Sequence, residues 1–187
     1  MGPSEGGWDW GWAGWGLAAV LLFWAIGAYN RVMILRNAIA TAFAQLDTHL
    51  SARAAVCANL LAVLRPLLPS EQATFDALDA AQQEVQVALQ AVRARPYAGD
   101  PVASLGVASA VHAAALTRLM SMLEHHADLR EHPELFAQVD ELKMIERQRS
   151  FTRQVFNQAV GAYNEAIIQF PTRVLASFYG FREARSL

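Results

Sequence analysis

The sequence predicts an all-α protein in which one N-terminal transmembrane helix continues into an elongated antiparallel four-helix bundle. Three observations support this prediction. An apolar stretch near the N-terminus is long enough to span a bilayer, apolar side chains elsewhere recur at intervals of three and four residues, and strand signals are almost absent. Only 17% of the 187 residues are charged, whereas soluble domains carry about a quarter, and the shortage is concentrated near the N-terminus.

The first element is a transmembrane helix predicted at residues 12–29. Its only ionisable side chain is the phenol of Tyr29, and about twenty helical residues rise roughly 30 Å, the thickness of a bilayer core. A cleaved signal peptide is the alternative, but the preceding residues carry Glu5 and Asp9 instead of positive charges. Indole rings favour the membrane–water boundary, and four of them mark it here. They are Trp8, Trp10, Trp12 and Trp15.

The charges beside the predicted span indicate its orientation. Arg31 and Arg36 follow the span closely, and no Lys or Arg precedes it. Because basic flanking segments remain in the cytoplasm, we expect residues 1–11 to be a short extracytoplasmic N-terminus. The rest of this single-pass protein is expected to be cytoplasmic.

Residues 30–171 are predicted to form the four-helix bundle. Prolines separate its helices, because proline interrupts a helix interior. Short connections make consecutive helices antiparallel neighbours, with the long seams of a coiled-coil-like bundle. The expected helices, in order, cover residues 30–65, 70–95, 102–131 and 134–170.

Residues 172–187 form an aromatic C-terminal tail. The first and fourth helices of the bundle have similar lengths, so the fourth should bring the chain back to the membrane. We expect the tail to pack on the membrane surface or on the base of the bundle, as aromatic amphipathic segments often do. Its apolar side chains are Val174, Leu175, Phe178, Tyr179 and Phe181.

Composition argues against several classes of function. The part after the predicted span carries as many acidic as basic residues, whereas a nucleic-acid surface would be strongly basic, so no nucleic-acid partner is expected. Cys57 is the only cysteine, which excludes an intrachain disulfide and a four-cysteine zinc site. No catalytic or phosphate-loop motif occurs. We therefore expect neither an enzymatic activity nor a cofactor.

The histidines leave a metal- or haem-binding bundle open as an alternative. No Glu-x-x-His pair of the di-iron type occurs, and the adjacent His125 and His126 point in different directions on a helix. His49 and His112 lie on different helices and could face each other. The other interpretation is that these side chains are ordinary solvated residues.

Charged residues interrupt the apolar stripes of two helices. Arg53 interrupts the first, and the stretch ERQRSFTRQ at residues 146–154 interrupts the fourth. The charges could form a solvated face, or an internal Arg–Glu network that fixes the helix register, because interior charges must be paired. A small-ligand sensor is a further alternative, and it would have a polar pocket near this stretch.

Two Tyr-Asn pairs are expected at the membrane-proximal end of the bundle. They are Tyr29-Asn30 and Tyr163-Asn164. Arg31 and Glu165, which follow them directly, could form an ion pair there.

The chain resembles the LemA family in two blocks, one after the predicted span and one at the end of the last bundle helix. Residues 65–130 match poorly. The resemblance implies a short outer N-terminus, one membrane helix and a cytoplasmic helical bundle in a bacterial inner membrane. Some family members are linked to organelle-like membrane assembly in bacteria. The motifs that carry the resemblance are Tyr29-Asn30, Leu35-Arg36-Asn37, Gln45-Leu46-Asp47, Asn59-Leu60, Glu146-Arg147, Arg153-Gln154, Phe156-Asn157, Tyr163-Asn164, Phe170-Pro171 and Phe178 with Gly180-Phe181.

These features together predict a membrane-anchored scaffold or adaptor that binds partner proteins at the cytoplasmic face. Membrane lipid would be contacted through residues 12–29, the protein partner is unknown, and a homo-oligomer remains open. We expect some of the candidate site residues to have structural roles. The candidates are Tyr29, Asn30, Arg36, Tyr163, Asn164, Phe178, Gly180 and Phe181.

Overall fold

The computed structural model describes residues 10–126, 129 and 132–187, and all regular structure in this part of the chain is helical. The prediction of an all-α protein is confirmed. Most of the predicted extracytoplasmic segment, including Trp8, lies outside the described residues. The helices are α1 (Trp10–Leu67), α2 (Gln72–Ala94), α3 (Gly99–His125), α4 (Pro133–Ile168) and α5 (Thr172–Tyr179).

Helix α1 is a continuous rod whose surface changes character along its length. Trp12 and Phe23 expose 83% and 73% of their surface, whereas Ala28 and Val32 are buried. Pro66 lies in the last turn, where it ends the helix without interrupting its interior. The N-terminal part of α1 is therefore apolar and uncovered, while the rest contributes one face to a core.

Two helices, α1 and α3, are long and apolar enough to cross a membrane by length and composition alone. In their most apolar stretches, 11% of the α1 residues and 33% of the α3 residues are buried. Helix α3 packs along α2, which covers part of its apolar surface. The apolar stretch of α1 near the N-terminus has no comparable cover within the described chain.

The helices associate closely in two pairs, α1 with α4 and α2 with α3. Two apolar clusters fill the core between them. Along α1 the first cluster uses residues from Val32 to Leu50, and the second uses residues from Val56 to Leu64. Arg53 lies between these stretches with none of its surface exposed.

Two elements differ from the sequence prediction. Helix α3 ends at His125 rather than at residue 131, and the tail begins with the helix α5. Helix α5 follows Pro171 and ends at Tyr179, and the next residue, Gly180, adopts a left-handed conformation with φ 67°. Glycine takes this conformation without strain, and the turn directs the chain from α5 into an extended tail.

Candidate functional site: the clamp on the C-terminal tail

Two asparagines of α4 hold the backbone of the extended tail. The Asn164 side chain donates to the carbonyl oxygen of Ala184 and accepts from its amide, both at 2.9 Å. Asn157 makes the same pair of hydrogen bonds with Leu187, both at 2.8 Å. We refer to Asn157, Asn164 and residues 181–187 as the tail clamp.

The spacing of the two asparagines matches the spacing of the residues that they hold. Asn164 lies seven positions after Asn157, which corresponds to a helical rise of about 10.5 Å. Leu187 lies three positions after Ala184, and three positions of extended chain cover about 10 Å. Each asparagine side chain bonds both the N–H and the C=O of one tail residue. The clamp therefore fixes the register of the tail along α4 through backbone atoms alone.

Aromatic side chains complete the attachment of the tail. The hydroxyl of Tyr163, a fully buried residue, donates to the carbonyl oxygen of Arg182 at 3.0 Å. The ring of Phe181 lies 6.3 Å from that of Tyr29, centroid to centroid. The guanidinium of Arg36 on α1 lies over the Phe181 ring, 4.5 Å from its centroid. Phe181 and Arg182, where the chain leaves α5, are thus in contact with side chains from α1 and α4.

Most of the candidate residues named from the sequence meet at the tail clamp. Six of the eight belong to residues 181–187, directly precede them or contact them. They are Tyr29, Arg36, Tyr163, Asn164, Gly180 and Phe181. Asn30 and Phe178 do not join them and are exposed. Asn157 is not among the predicted site residues, although its seven-residue spacing from Asn164 places both on one face of a helix.

The ion pair considered between Arg31 and Glu165 does not form. Both residues are exposed, and neither makes a salt bridge within the described residues. The Asn164 side chain, which precedes Glu165, binds the backbone of the tail.

Helix α5 lies against the end of the apolar part of α1. The Tyr29 and Tyr179 rings are 5.5 Å apart, and Phe170 just before α5 lies 5.7 Å from Trp24, measured between centroids. The outer side of this region is exposed and aromatic, and Phe178 exposes 87% of its surface. The uncovered apolar surfaces of α1 and α5 are therefore adjacent.

A second polar feature is a buried layer between the two core clusters. Arg53 Nη1 lies 3.4 Å from Glu146 Oε1, and Glu146 also accepts a 2.8 Å hydrogen bond from Arg149. This contact confirms the internal Arg–Glu network considered from the sequence. Arg147 and Arg153 are exposed and do not belong to it.

Several buried polar atoms of this layer have no hydrogen-bond partner among the residues that the structure describes. They are Nε and Nη2 of Arg53, both ring nitrogens of His112, and the amide nitrogen and oxygen of Gln82. His112 is fully buried, and it makes no hydrogen bond to the half-buried His49. No group of three or more metal-binding side chains occurs among the residues that the structure describes.

Burial shifts the pKa values of three groups in and beside this layer, and charged neighbours set that of Glu146. Desolvation lowers the pKa of Arg53 and lowers that of His112 to about 4, with repulsion from Arg53 adding to the effect at His112. Burial also raises the pKa of the Cys57 thiol to about 11. Burial opposes ionisation of Glu146, but hydrogen bonds and charges from Arg149 and Arg53 outweigh it, so the pKa of Glu146 lies below its usual value.

A family model described as LemA family matches residues 42–187, which is most of the chain. The chain belongs to the LemA family. The match includes residues 65–130, where the sequence resemblance was weak, and it begins after the motifs that contain Tyr29 and Arg36. No curated protein matches this chain.

The tail clamp predicts a local effect when its asparagines are replaced. Changing both Asn157 and Asn164 to Ala removes four hydrogen bonds, each worth about 1 kcal/mol. We expect hydrogen exchange at the amides of Ala184 and Leu187 to accelerate at least tenfold, and trypsin to cleave more readily after Arg182. Helical circular dichroism should change little.

The matched control for the clamp replaces Gln154 and Gln158, which are exposed on the same helix, with Ala. This variant should leave tail exchange unchanged. Equal exchange rates in both variants would contradict the clamp.

His112 predicts a pH dependence of stability. Its pKa is about 4 in the fold, against an ordinary value of 6.5, so between these values the unfolded chain binds a proton that the folded chain does not. The free energy of unfolding should fall by roughly 2–3 kcal/mol between pH 7 and pH 4.5, measured by urea denaturation. His112→Leu should flatten this dependence, and His125→Leu, at an exposed position, should not. An unchanged slope in His112→Leu would refute the assignment.

Proposed function

We propose that this LemA-family protein is a single-pass anchor in a bacterial inner membrane whose cytoplasmic four-helix bundle is a scaffold for partner proteins. Residues 12–29 cross the bilayer, residues 30–171 form the bundle, and residues 172–187 attach at the membrane-proximal end. Function is binding in this proposal, with no catalytic step. The observation that carries it is the position of the exposed apolar surfaces of α1 and α5 side by side.

The membrane part of the proposal rests on the uncovered surface of α1. Trp12, Leu17 and Leu22 each expose more than half of their surface, and their five-residue spacing turns each about 140° from the one before around the helix. A soluble monomer rarely exposes so large a continuous apolar surface, whereas a bilayer covers it completely. The exposed Arg31 follows the span, which favours a cytoplasmic bundle by the positive-inside rule.

The scaffold part of the proposal rests on the aromatic face of α5. The rings of Phe170 and Tyr179 contact α1. The side chain of Phe178 is instead almost completely uncovered by the rest of the protein. The tail clamp fixes the chain on the C-terminal side of α5, and α4 fixes the other side. An aromatic face held at a fixed place beside the membrane suits a docking contact with an apolar partner surface.

Crosslinking in living cells tests the scaffold. A photoreactive amino acid at Phe178 should capture one recurrent protein, and the same amino acid at the exposed Val87 of α2 should not capture it. Capture of a second copy of this chain would make the scaffold a homo-oligomer. Lipid alone at Phe178 would contradict a protein-docking role for α5.

A second candidate function is the sensing of a small ligand by the bundle. It is favoured by the unpartnered polar atoms of Arg53 and His112, and by a cavity of about 150 Å³ lined by Ser109, Arg149 and Arg153. Arg149 links the two, because it bonds Glu146 of the buried layer and also lines the cavity. Two arginines at its wall favour a small carboxylate.

Thermal unfolding with a panel of small carboxylates, from acetate to citrate, tests this candidate. A binder should raise the melting temperature in a saturable manner, since it stabilises only the folded state. The variant Arg153→Gln should lose the shift, and Arg118→Gln, at an exposed position of α3, should retain it. Absence of any shift across the panel would eliminate the carboxylate-sensing function.

A further inference from the structure

We infer that an open cavity beside the tail clamp binds a phosphate group, supplied by an anionic lipid headgroup or by a soluble phosphate. The cavity has a volume of about 770 Å³ and lies where the connection between α2 and α3 meets the tail. The lipid source rests on the membrane placement proposed above, and the soluble source does not. The charged side chains at its wall are Arg36, Arg95, Asp100, Arg182, Glu183 and Arg185.

The charge of the wall is not neutralised within the protein. Four arginines and two carboxylates leave two positive charges in excess. None of these four arginines forms a salt bridge or donates a side-chain hydrogen bond within the described residues. Arg93, in contrast, is paired with Asp47 at 2.8 Å. The cavity is thus a concentration of arginines whose donors are available to an anion.

Arg36 is held rigidly at this cavity. Its guanidinium lies between two aromatic rings, 4.4 Å from the centroid of Tyr97 and 4.5 Å from that of Phe181. Its Nε is buried without a partner. Stacking on rings orients the guanidinium plane and leaves its edge available for hydrogen bonds, the arrangement with which arginine binds phosphate oxygens.

The tail clamp positions the other side of the cavity. Tyr163 fixes the backbone of Arg182, and Asn164 fixes that of Ala184, which precedes Arg185. The Arg185 side chain then passes over Gly99, where a β-carbon would lie 3.4 Å from its Cγ. Arg185 therefore packs against the backbone at Gly99, and Arg182 and Arg185 line the same cavity as Arg36.

The height of the cavity suits a lipid phosphate. Arg36 follows Tyr29 by seven residues, which is about 10 Å of helix. The headgroup region extends roughly 5–8 Å beyond the hydrocarbon core, and an arginine side chain spans the remaining distance. Basic pockets at the cytoplasmic side of membrane helices bind anionic headgroups in this way.

The test uses the purified full-length chain in detergent, with thermal unfolding followed by circular dichroism. The probes are dihexanoyl phosphatidylglycerol, dihexanoyl phosphatidylcholine and inorganic phosphate, each at constant ionic strength. The cavity variant is Arg95→Gln with Arg185→Gln, which leaves Arg36 and the clamp intact. The control variant is Arg118→Gln with Arg147→Gln, which removes the same charge at exposed positions away from this cavity.

Phosphatidylglycerol should raise the melting temperature by roughly 5–10 °C at about 100 times its Kd, and phosphatidylcholine should not. The cavity variant should lose the shift, and the control should keep it. If inorganic phosphate produces the same shift, the source is a soluble phosphate; if only the lipid does, the source is the headgroup. No shift with either anion, or equal shifts in both variants, would overturn the inference.

This outcome is separable from the scaffold proposal. A phosphate-dependent shift with no protein captured at Phe178 would retain the phosphate site and remove the scaffold. Capture of a partner without any shift in the melting temperature would retain the scaffold and remove the phosphate site.

Discussion

The antiparallel pairing of α1 with α4 determines where every other feature of this protein lies. Because α4 runs back along α1, it ends at Ile168 beside the apolar part of α1, so that α5 and the tail gather at that end. The pairing also sets Arg53 opposite Glu146. A slip of one helical turn, about 5.4 Å, would leave a buried guanidinium without its carboxylate, which gives the charged layer a role in register.

The fold could largely be predicted because its main elements carry strong periodic signals. The long rod α1 follows from apolar spacing, whereas the same spacing leaves open whether Arg53, which interrupts the stripe, is solvated or internal, and the structure shows it buried. Helix α5 was not predicted, because eight residues give little periodicity and its end depends on the conformation of Gly180. The end of α3 was misplaced because apolar and polar residues continue past His125 without a breaker until the next proline.

The candidate site could be located from the sequence but not assembled. The sequence predicts Tyr163, Asn164 and Phe181 as site residues at one end of the bundle. In the structure, Tyr163 and Asn164 of α4 bond the tail, and Phe181 of the tail packs on α1. Their partners are mostly backbone atoms, which have no signature in a sequence. The spacing of the asparagines on α4 meets the spacing of their tail partners only because of where the chain turns after α5. The role of Asn157 can therefore be identified only once α4 and the tail are placed side by side.

The state of Cys57 has a practical consequence for spectroscopy on this protein. The thiol is buried in the second core cluster, and its pKa of about 11 keeps it protonated at neutral pH. Labelling reagents react with exposed thiolates, so the native cysteine is poorly reactive while the fold is intact. Spin labels or fluorophores can therefore be attached to cysteines introduced on α5 or the tail, and distances between these segments measured, in a chain that keeps its natural core.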